Sequence, residues 1–313
     1  MEDKYIVVVG GLNLDIAGLS GQNYHEKDSN IGEINLSIGG VGQNIAQNLT
    51  RLEAPTYLIT VYGDDSFGNI LEEGCKKNHI NLEYGEKIDG EHSSTYLYVA
   101  NNQGDMVTAI NDMKIVERIT PDFLKKRLDI INGAAICVID GNISQESIEF
   151  LAHNVTCPIF VDPVSVAKVE RFEHVLHKID TIKPNDLEIE LLTGIKVTDI
   201  ETGKQAASKL NKQGVKNVFI SLGARGILCS SHNEAPTLIP PLAKKIISTN
   251  GAGDCTMATI IWARFYYGNV LSAKEIGQLS QAAASITVES PKSVSEDLTI
   301  KNIVHRSIQY IEN

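Results

Sequence analysis

The sequence predicts an α/β fold: a doubly wound, mostly parallel sheet flanked by helices, with a small antiparallel β lid. Three observations carry that prediction. Short apolar runs of strand character recur at 5–9, 56–61, 135–139, 158–162, 180–183 and 216–221, and helix-like stretches separate most of them, as βαβ units require. The runs are apolar at consecutive positions, as in Ala135-Ile136-Cys137-Val138-Ile139, which suits a parallel sheet covered by helices on both faces. Two regions break the alternation, one around Ile31 to Ile38 and one from Thr95 to Ile110, the second built around the turn-forming Asn101-Asn102-Gln103-Gly104.

Those two regions read as antiparallel strands of a small sheet inserted between βαβ units, a lid over a ligand crevice. The last part of the chain reads as mostly helical, at about 252–267, 273–289 and 299–312. No repeat, low-complexity tract or Pro/Gly-rich linker divides the sequence. One α/β domain over 1–313, with lid strands inserted at about 31–38 and 95–110, is the simplest organisation.

Composition narrows the partners. A formal charge of −11 over 313 residues argues against a broad phosphate-neutralising surface for DNA or RNA and favours a small-molecule partner. The five cysteines are scattered, with no C-x-x-C pair, and fit reduced cytosolic thiols. Met1-Glu2-Asp3-Lys4 leads directly into Ile6-Val7-Val8-Val9 without the pattern of a secretion signal. The longest apolar candidate for a membrane span, Thr259 to Tyr267, is short and contains Arg264. The expectation is a soluble cytoplasmic protein with no nucleic-acid or membrane partner.

The segment Ser248-Thr249-Asn250-Gly251-Ala252-Gly253-Asp254-Cys255 ends an extended stretch and opens a long helix, Ala252 to Tyr267. Its small residues let the backbone approach a ligand, and the amides of Gly251, Ala252 and Gly253 at a helix start suit an anion such as a phosphoryl group in transfer. A carboxylate beside such a site is useful if it meets the hydroxyl whose proton must leave as attack begins, which makes Asp254 a candidate base. Taken alone, Asp254 reads more readily as an ordinary N-terminal Asp favoured by the helix dipole. Earlier in the chain, Gly39-Gly40-Val41-Gly42-Gln43-Asn44-Ile45-Ala46 forms a glycine-rich strand-to-helix turn whose Asn44 amide can donate to and accept from hydroxyls.

Together these two segments resemble the signatures of the PfkB, or ribokinase-like, family of carbohydrate and nucleoside kinases. The first is close to Asp-Thr-x-Gly-Ala-Gly-Asp, with Ser248 in place of the usual Asp and Asn250 in place of Thr or a small residue. The second matches Gly-Gly-x-Gly-x-Asn-x-Ala in full. The resemblance implies an ATP-dependent kinase in which Gly251, Ala252 and Gly253 form the anion hole and Asp254 is the catalytic base. Many relatives hold a monovalent cation such as K⁺ near the position of Ser248, where this sequence departs.

The likeness extends along nearly the whole chain. Gly10-Gly11-Leu12-Asn13-Leu14-Asp15 is similar to the family's opening motif, which implies that Asn13 and Asp15, with Gly40 and Asn44, bind sugar hydroxyls; a carboxylate accepts two adjacent hydroxyls at once. Lys183-Pro184-Asn185-Asp186-Leu187-Glu188 resembles the family's Lys-Pro-Asn-x-x-Glu. Asn185 and Glu188 would then organise the Mg²⁺ of the ATP complex through water, and they also have the form of a helix-capping pair. Ser221-Leu222-Gly223-Ala224-Arg225-Gly226 is similar to the turn that passes under the nucleotide, with Ser221, Gly223 and Gly226 in close approach. Gln281, in Gln281-Ala282-Ala283-Ala284-Ser285, stands where relatives carry an Asn near the adenine.

Within the family, Ala109-Ile110-Asn111-Asp112-Met113, the helix start Ile119-Thr120-Pro121, and Val161-Asp162-Pro163-Val164-Ser165 with Lys168 look most like pseudouridine kinases. The resemblance implies Asn111, Asp112 and Lys168 as contacts to a uracil edge, against the plainer readings of a strand end and a solvated lysine. It also implies homodimers paired through the lid. Ribose, fructose, 2-keto-3-deoxygluconate, uridine and other nucleosides remain alternative acceptors, and a catalytically dead sugar-binding regulator is the alternative from another class. A nicotinamide dehydrogenase is disfavoured because Gly10-Gly11-Leu12-Asn13 does not continue as G-x-G-x-x-G, and no P-loop motif is present. His174 and His177, three apart, lack a third ligand and read as a solvated face. Cys255, beside the candidate base, reads as a small packed residue.

Overall fold

The computed structural model describes residues 4–22, 24–103, 105–232 and 234–310. Gly104 of the expected hairpin turn, the first residues of the N-terminal segment and the end of the last expected helix lie outside the described residues. The first half contains β1 (Ile6–Val9), β2 (Asn13–Ser20), β3 (Gly32–Gly39), α1 (Val41–Arg51), β4 (Thr56–Ile59), β5 (Val61–Gly63), α2 (Ser66–Lys77), β6 (Glu86–Ile88), β7 (Thr95–Ala100) and β8 (Met106–Asp112). Then follow α3 (Pro121–Lys125), α4 (Leu128–Gly133), β9 (Ile136–Asp140), α5 (Gln145–Asn154), β10 (Ile159–Asp162), α6 (Val166–Val169), β11 (Thr181–Ile182), α7 (Asp186–Thr193) and α8 (Ile200–Lys212). The chain closes with β12 (Asn217–Ser221), β13 (Ile227–Ser231), β14 (Glu234–Ile239), α9 (Ala252–Tyr267), α10 (Ala273–Val288) and α11 (Ile300–Ser307).

The main sheet runs in the order β14-β13-β12-β11-β10-β9-β1-β4. Its six strands from β4 to β12 pair in parallel, and β13 and β14 add an antiparallel edge. The two-residue period of a strand sends Val7, Val9, Cys137 and Ile139 into one core, with Ile148, Leu151, Ile189 and Leu210 from the helices on that face. Ile6, Val8, Ile136 and Val138 enter the other, against Ile45, Leu49, Met257, Ile261 and Ala282. That two-faced burial is why the strand runs are continuously apolar.

The expected helices appear as α9, α10 and α11, the last shorter than expected and followed by a 3-10 turn. The run at 56–61 divides at Thr60 into β4 and β5, and β5 leaves the main sheet to pair with β6. The sequence reading omitted β14, whose Pro236 belongs on an edge strand, the place β14 occupies. Among the described residues no helix is long and apolar enough to cross a membrane.

The lid is a four-stranded sheet in the order β3-β2-β7-β8. Its outer pairs are antiparallel, and the central β2–β7 pair is parallel. Region 31–38 supplies β3, and region 95–110 supplies the hairpin β7–β8; β2, which runs through the Asn13-to-Asp15 motif, was not expected as a lid strand. Register puts Ser37, Asp15, Tyr96 and Asn111 in one row across the sheet, and Ile38, Leu14, Thr95 and Asp112 in the next. Neighbouring rows face opposite sides. The Asp15 side is polar and aromatic, whereas the opposite side carries Ile34, Leu36 and Ile110, which are 75%, 51% and 64% exposed.

Candidate active site

Asn185 and Ser221, with Lys183 and the Gly10-Gly11 turn, lie where the parallel strands end. β1 runs into Gly10-Gly11, β9 into Asp140-Gly141-Asn142, β10 into Asp162-Pro163, β11 into Lys183-Pro184-Asn185, and β12 ends at Ser221. In an open α/β sheet this carboxyl end is where ligand crevices form. The amide of Ser221 donates to Pro184 O (2.9 Å), so the Lys-Pro-Asn and Ser-Leu-Gly segments lie side by side.

Asp254 sits in the first turn of α9, behind Gly251, which takes a left-handed conformation (φ 76°) at the helix start with no side chain capping it. A Cβ on Gly251 would overlap the carbonyl oxygen of Ser293, so this position needs glycine for conformation and space alike. Asn44, from the first turn of α1, donates from Nδ2 to Asp254 Oδ2 (2.7 Å) across 210 residues of sequence. Lys183 and Asp162 form a buried ion pair (Nζ to Oδ2, 3.1 Å) beside Gly253, where a built Cβ would stand 3.5 Å from Lys183 Nζ. Burial pushes the Asp254 carboxyl up to about 7, with the charges of Asp162 and Asp140 adding to the rise and Asn44 and Lys183 opposing it.

On the lid side, Asn13 Nδ2 donates to Asp15 Oδ1 (2.6 Å), and burial still lifts the Asp15 carboxyl to about 6. The glycines of the Gly39–Ala46 turn meet the protein's own groups. A Cβ on Gly39 would overlap Asp15 Oδ2, and one on Gly40 (φ 105°) would come within 2.5 Å of Gly11 O. One on Gly42 would stand 3.0 Å from Asp140 Oδ2. The close approach expected there toward a sugar is therefore first an approach of one chain segment to another.

Lys168 is half-buried and donates to Asn142 Oδ1 (2.6 Å), so it is not the freely solvated helix residue of the plainer reading. Asn111 shares the Asp15 row of the lid, while Asp112 lies in the opposite-facing row; the two cannot meet one nucleobase edge together. Asn185 and Glu188 form a complete capping box on α7: Asn185 N and Nδ2 donate to Glu188 Oε2 and Oε1 (both 2.9 Å), and Glu188 N donates to Asn185 Oδ1 (2.8 Å). Gly223 (φ 57°) opens onto free space. Gly226 (φ 97°) does not, because a Cβ there would overlap Ile239 O, so the β12–β13 turn by itself already requires glycine at this position. Gln281 is buried in the middle of α10, about two turns before Val288, whose carbonyl receives the amides of Ile247 and Ser248. His174 and His177 are exposed, no cluster of three metal-ligating side chains occurs among the described residues, and Cys255 is fully buried with its thiol pushed up to about 12.

Two carboxylates escaped the sequence reading as site residues. Asp140 accepts the amides of Gly11 (2.8 Å), Gly42 (2.7 Å) and Asn142 (2.8 Å). Asp162 accepts the amide of Val164 (3.0 Å), a β-branched residue held at φ 74°, a conformation that costs on the order of 1–3 kcal/mol. Each aspartate ends an otherwise apolar strand, and that position was the available signal.

Residues 3–299 match the pfkB family carbohydrate kinases. The chain belongs to the pfkB family. It is 33% identical over 304 residues to the pseudouridine kinase of Escherichia coli, covering 97% of this chain and 96% of that one. It is also 33% identical over 304 residues to the uncharacterized sugar kinase YeiI of the same organism, covering 96% and 83%. The structure of Arabidopsis thaliana ribokinase complexed with ribose and ATP has the same fold, with a TM-score of 0.84 at 24% identity over 97% of this chain and 98% of that one. As a pfkB-family sugar or nucleoside kinase, the protein is a phosphotransferase with an alcohol as acceptor.

Proposed function

We propose that this pfkB-family kinase transfers the γ-phosphoryl group of ATP to the 5′-hydroxyl of pseudouridine, giving pseudouridine 5′-phosphate and ADP. The observation that carries the reading is the Asn44–Asp254 hydrogen bond, which joins the sugar-side helix to the start of the phosphate-side helix at one carboxylate. Asp254 takes the proton of the acceptor hydroxyl as attack begins. The amides of Gly251, Ala252 and Gly253 receive the phosphoryl oxygens, and the helix dipole of α9 favours the charge that collects there. Asn13, Asp15, Gly40 and Asn44 hold the ribose, and Asn111 and Lys168 address the base; Asp112, on the other side of the lid, has no part in this assignment. The ATP side belongs to Ser221, Gly223 and Gln281.

Glu188 keeps both carboxylate oxygens engaged with Asn185, and no all-protein cage of three acidic or His/Cys ligands occurs among the described residues. Both facts fit a Mg²⁺ ion that retains its waters and is held by Asn185, Glu188 and the nucleotide. When bound, that ion neutralises phosphate charge. Ser248, in place of the Asp of the family signature, offers a neutral hydroxyl, which accepts from the Asn250 amide (3.2 Å), and no step is assigned to a monovalent cation. Five free cysteines among the described residues suit a cytoplasmic enzyme. The exposed apolar face of the lid suits pairing with a second copy.

The similarity to the E. coli pseudouridine kinase supports the acceptor, and the equal similarity to an uncharacterized sugar kinase sets the contest. ATP consumption measured over pseudouridine, uridine, other nucleosides, ribose, fructose and 2-keto-3-deoxygluconate decides it. Pseudouridine is expected to give the highest kcat/KM. Strong turnover of a free sugar with none of pseudouridine would sink the assignment.

A further inference from the structure

The main chain enters the lid through Gly10-Gly11, two residues before β2, and leaves it through Gly40 to Gly42, just after β3. Both crossings end on the same side chain. Asp140 Oδ2 accepts the Gly11 amide at 2.8 Å and the Gly42 amide at 2.7 Å, while Oδ1 accepts the amide of Asn142 at 2.8 Å. The carboxylate is fully buried. The glycines are shaped around it, since a Cβ on Gly10 would overlap Asp140 Oδ2 and one on Gly42 would crowd it at 3.0 Å. Gln43 N also donates to Gly11 O (3.1 Å), which stitches the two crossings to each other.

What these crossings carry is the acceptor side of the site. Gly11 leads to Asn13 and Asp15, Gly42 to Asn44 and through it to Asp254, and Asn142 holds Lys168. The third crossing, into β7, is fixed elsewhere: Ser93 donates from N and Oγ to Asp65 (3.0 and 2.6 Å). We propose that Asp140 is a positioning residue that sets the lid root, and so the placement of Asp15, Asn44 and Lys168 on the acceptor, without touching the acceptor itself. A carboxylate is needed because it accepts three amides at once. An amide side chain presents only one acceptor oxygen and would point its NH₂ at one of the three donors.

This inference rests on the kinase reading of the crevice, and the test separates the two. Asp140→Asn is isosteric; its acceptor KM is expected to rise about 10–100-fold, the scale of an ångström-level misplacement, while the KM for ATP changes less than about 2-fold. Amide hydrogen exchange, which needs no acceptor, should quicken in the peptides holding Gly11 and Gly42 and stay unchanged around Ser93. If Asp140→Asn melts too low to assay, Gly42→Ala, which presses a methyl against the carboxylate, should give the same acceptor-KM signature and the same local exchange. Unchanged exchange at both crossings, or equal losses for acceptor and ATP, would overturn the proposal and leave Asp140 a structural residue. Wild-type enzyme that turns over none of the acceptors would remove the kinase reading, and the exchange result would still decide the role of Asp140.

Discussion

At Asp254 the burial that suits the carboxyl to the proposed role of base also makes it a liability for the fold. With its pKa raised to about 7, the group holds its proton in the native state over a range where the unfolded chain, at the ordinary carboxylate value, has lost it. The native state thus binds more protons between about pH 4 and 7, and this residue's contribution turns against folding as pH rises through that window. Asp254→Asn should lower kcat by about 10²–10⁴ with little change in ATP binding, yet stabilise the fold at pH 8 by on the order of 1–3 kcal/mol, read as a raised melting temperature. The gain should vanish near pH 4, and a variant that is both active and unchanged in stability would refute both roles. Wild-type kcat should rise with pH through an apparent value near 7. Asp15 is lifted to about 6 by burial and is argued to accept hydroxyls as a carboxylate, so acceptor KM should fall as pH rises through 6. In Asp15→Asn that pH dependence should disappear while KM stays high, as read from pH profiles of kcat/KM.

Two glycine turns show how an element's shape and a ligand's approach can be told apart. Gly251 has a left-handed backbone and no room for a methyl against Ser293 O, so Gly251→Ala should cost about 1–3 kcal/mol in denaturant melts and also disturb the start of α9, removing most activity. Gly223 also has positive φ, but nothing of the protein lies within 4 Å of a Cβ there. Gly223→Ala should thus cost only about 1 kcal/mol. If the nucleotide occupies that free space, its ATP KM should rise out of proportion to the stability loss; an unchanged ATP KM would move the nucleotide away from the turn.

At the scale of the molecule, the lid has two unlike faces. Asp15, Tyr96 and Asn111 line the side toward the proposed acceptor, and Ile34, Leu36 and Ile110 are exposed on the other. The outer part of that face is exposed apolar surface of the kind that marks an interaction site, and pairing with a second copy is proposed to cover it. Sedimentation velocity should give a dimer, and Ile110→Asp should shift it to monomer with a raised acceptor KM and an unchanged melting profile of the main sheet. A wild-type monomer at micromolar concentration would end the lid-pairing idea.

Local chemistry determined most of the fold and the two ends of the site. Continuous apolar strands and intervening helices specify a sheet buried on both faces, and Gly251-Ala252-Gly253 specifies the start of α9, the place proposed for an anion, because these depend on neighbours in sequence. The lid's extent was only partly legible: β2 is masked by a motif that reads as a loop, and β14 by Pro236. What the tertiary structure alone decided are relations between distant segments. Asn44 meets Asp254, Lys183 pairs with Asp162, and strand register sets Asn111 and Asp112 on opposite sides of the lid. Asp140, a single polar residue at the end of an apolar strand, gathers two glycine crossings on one carboxylate. Hydrogen bonds of this reach depend on how strands stack across the sheet, and no run of adjacent residues records that order.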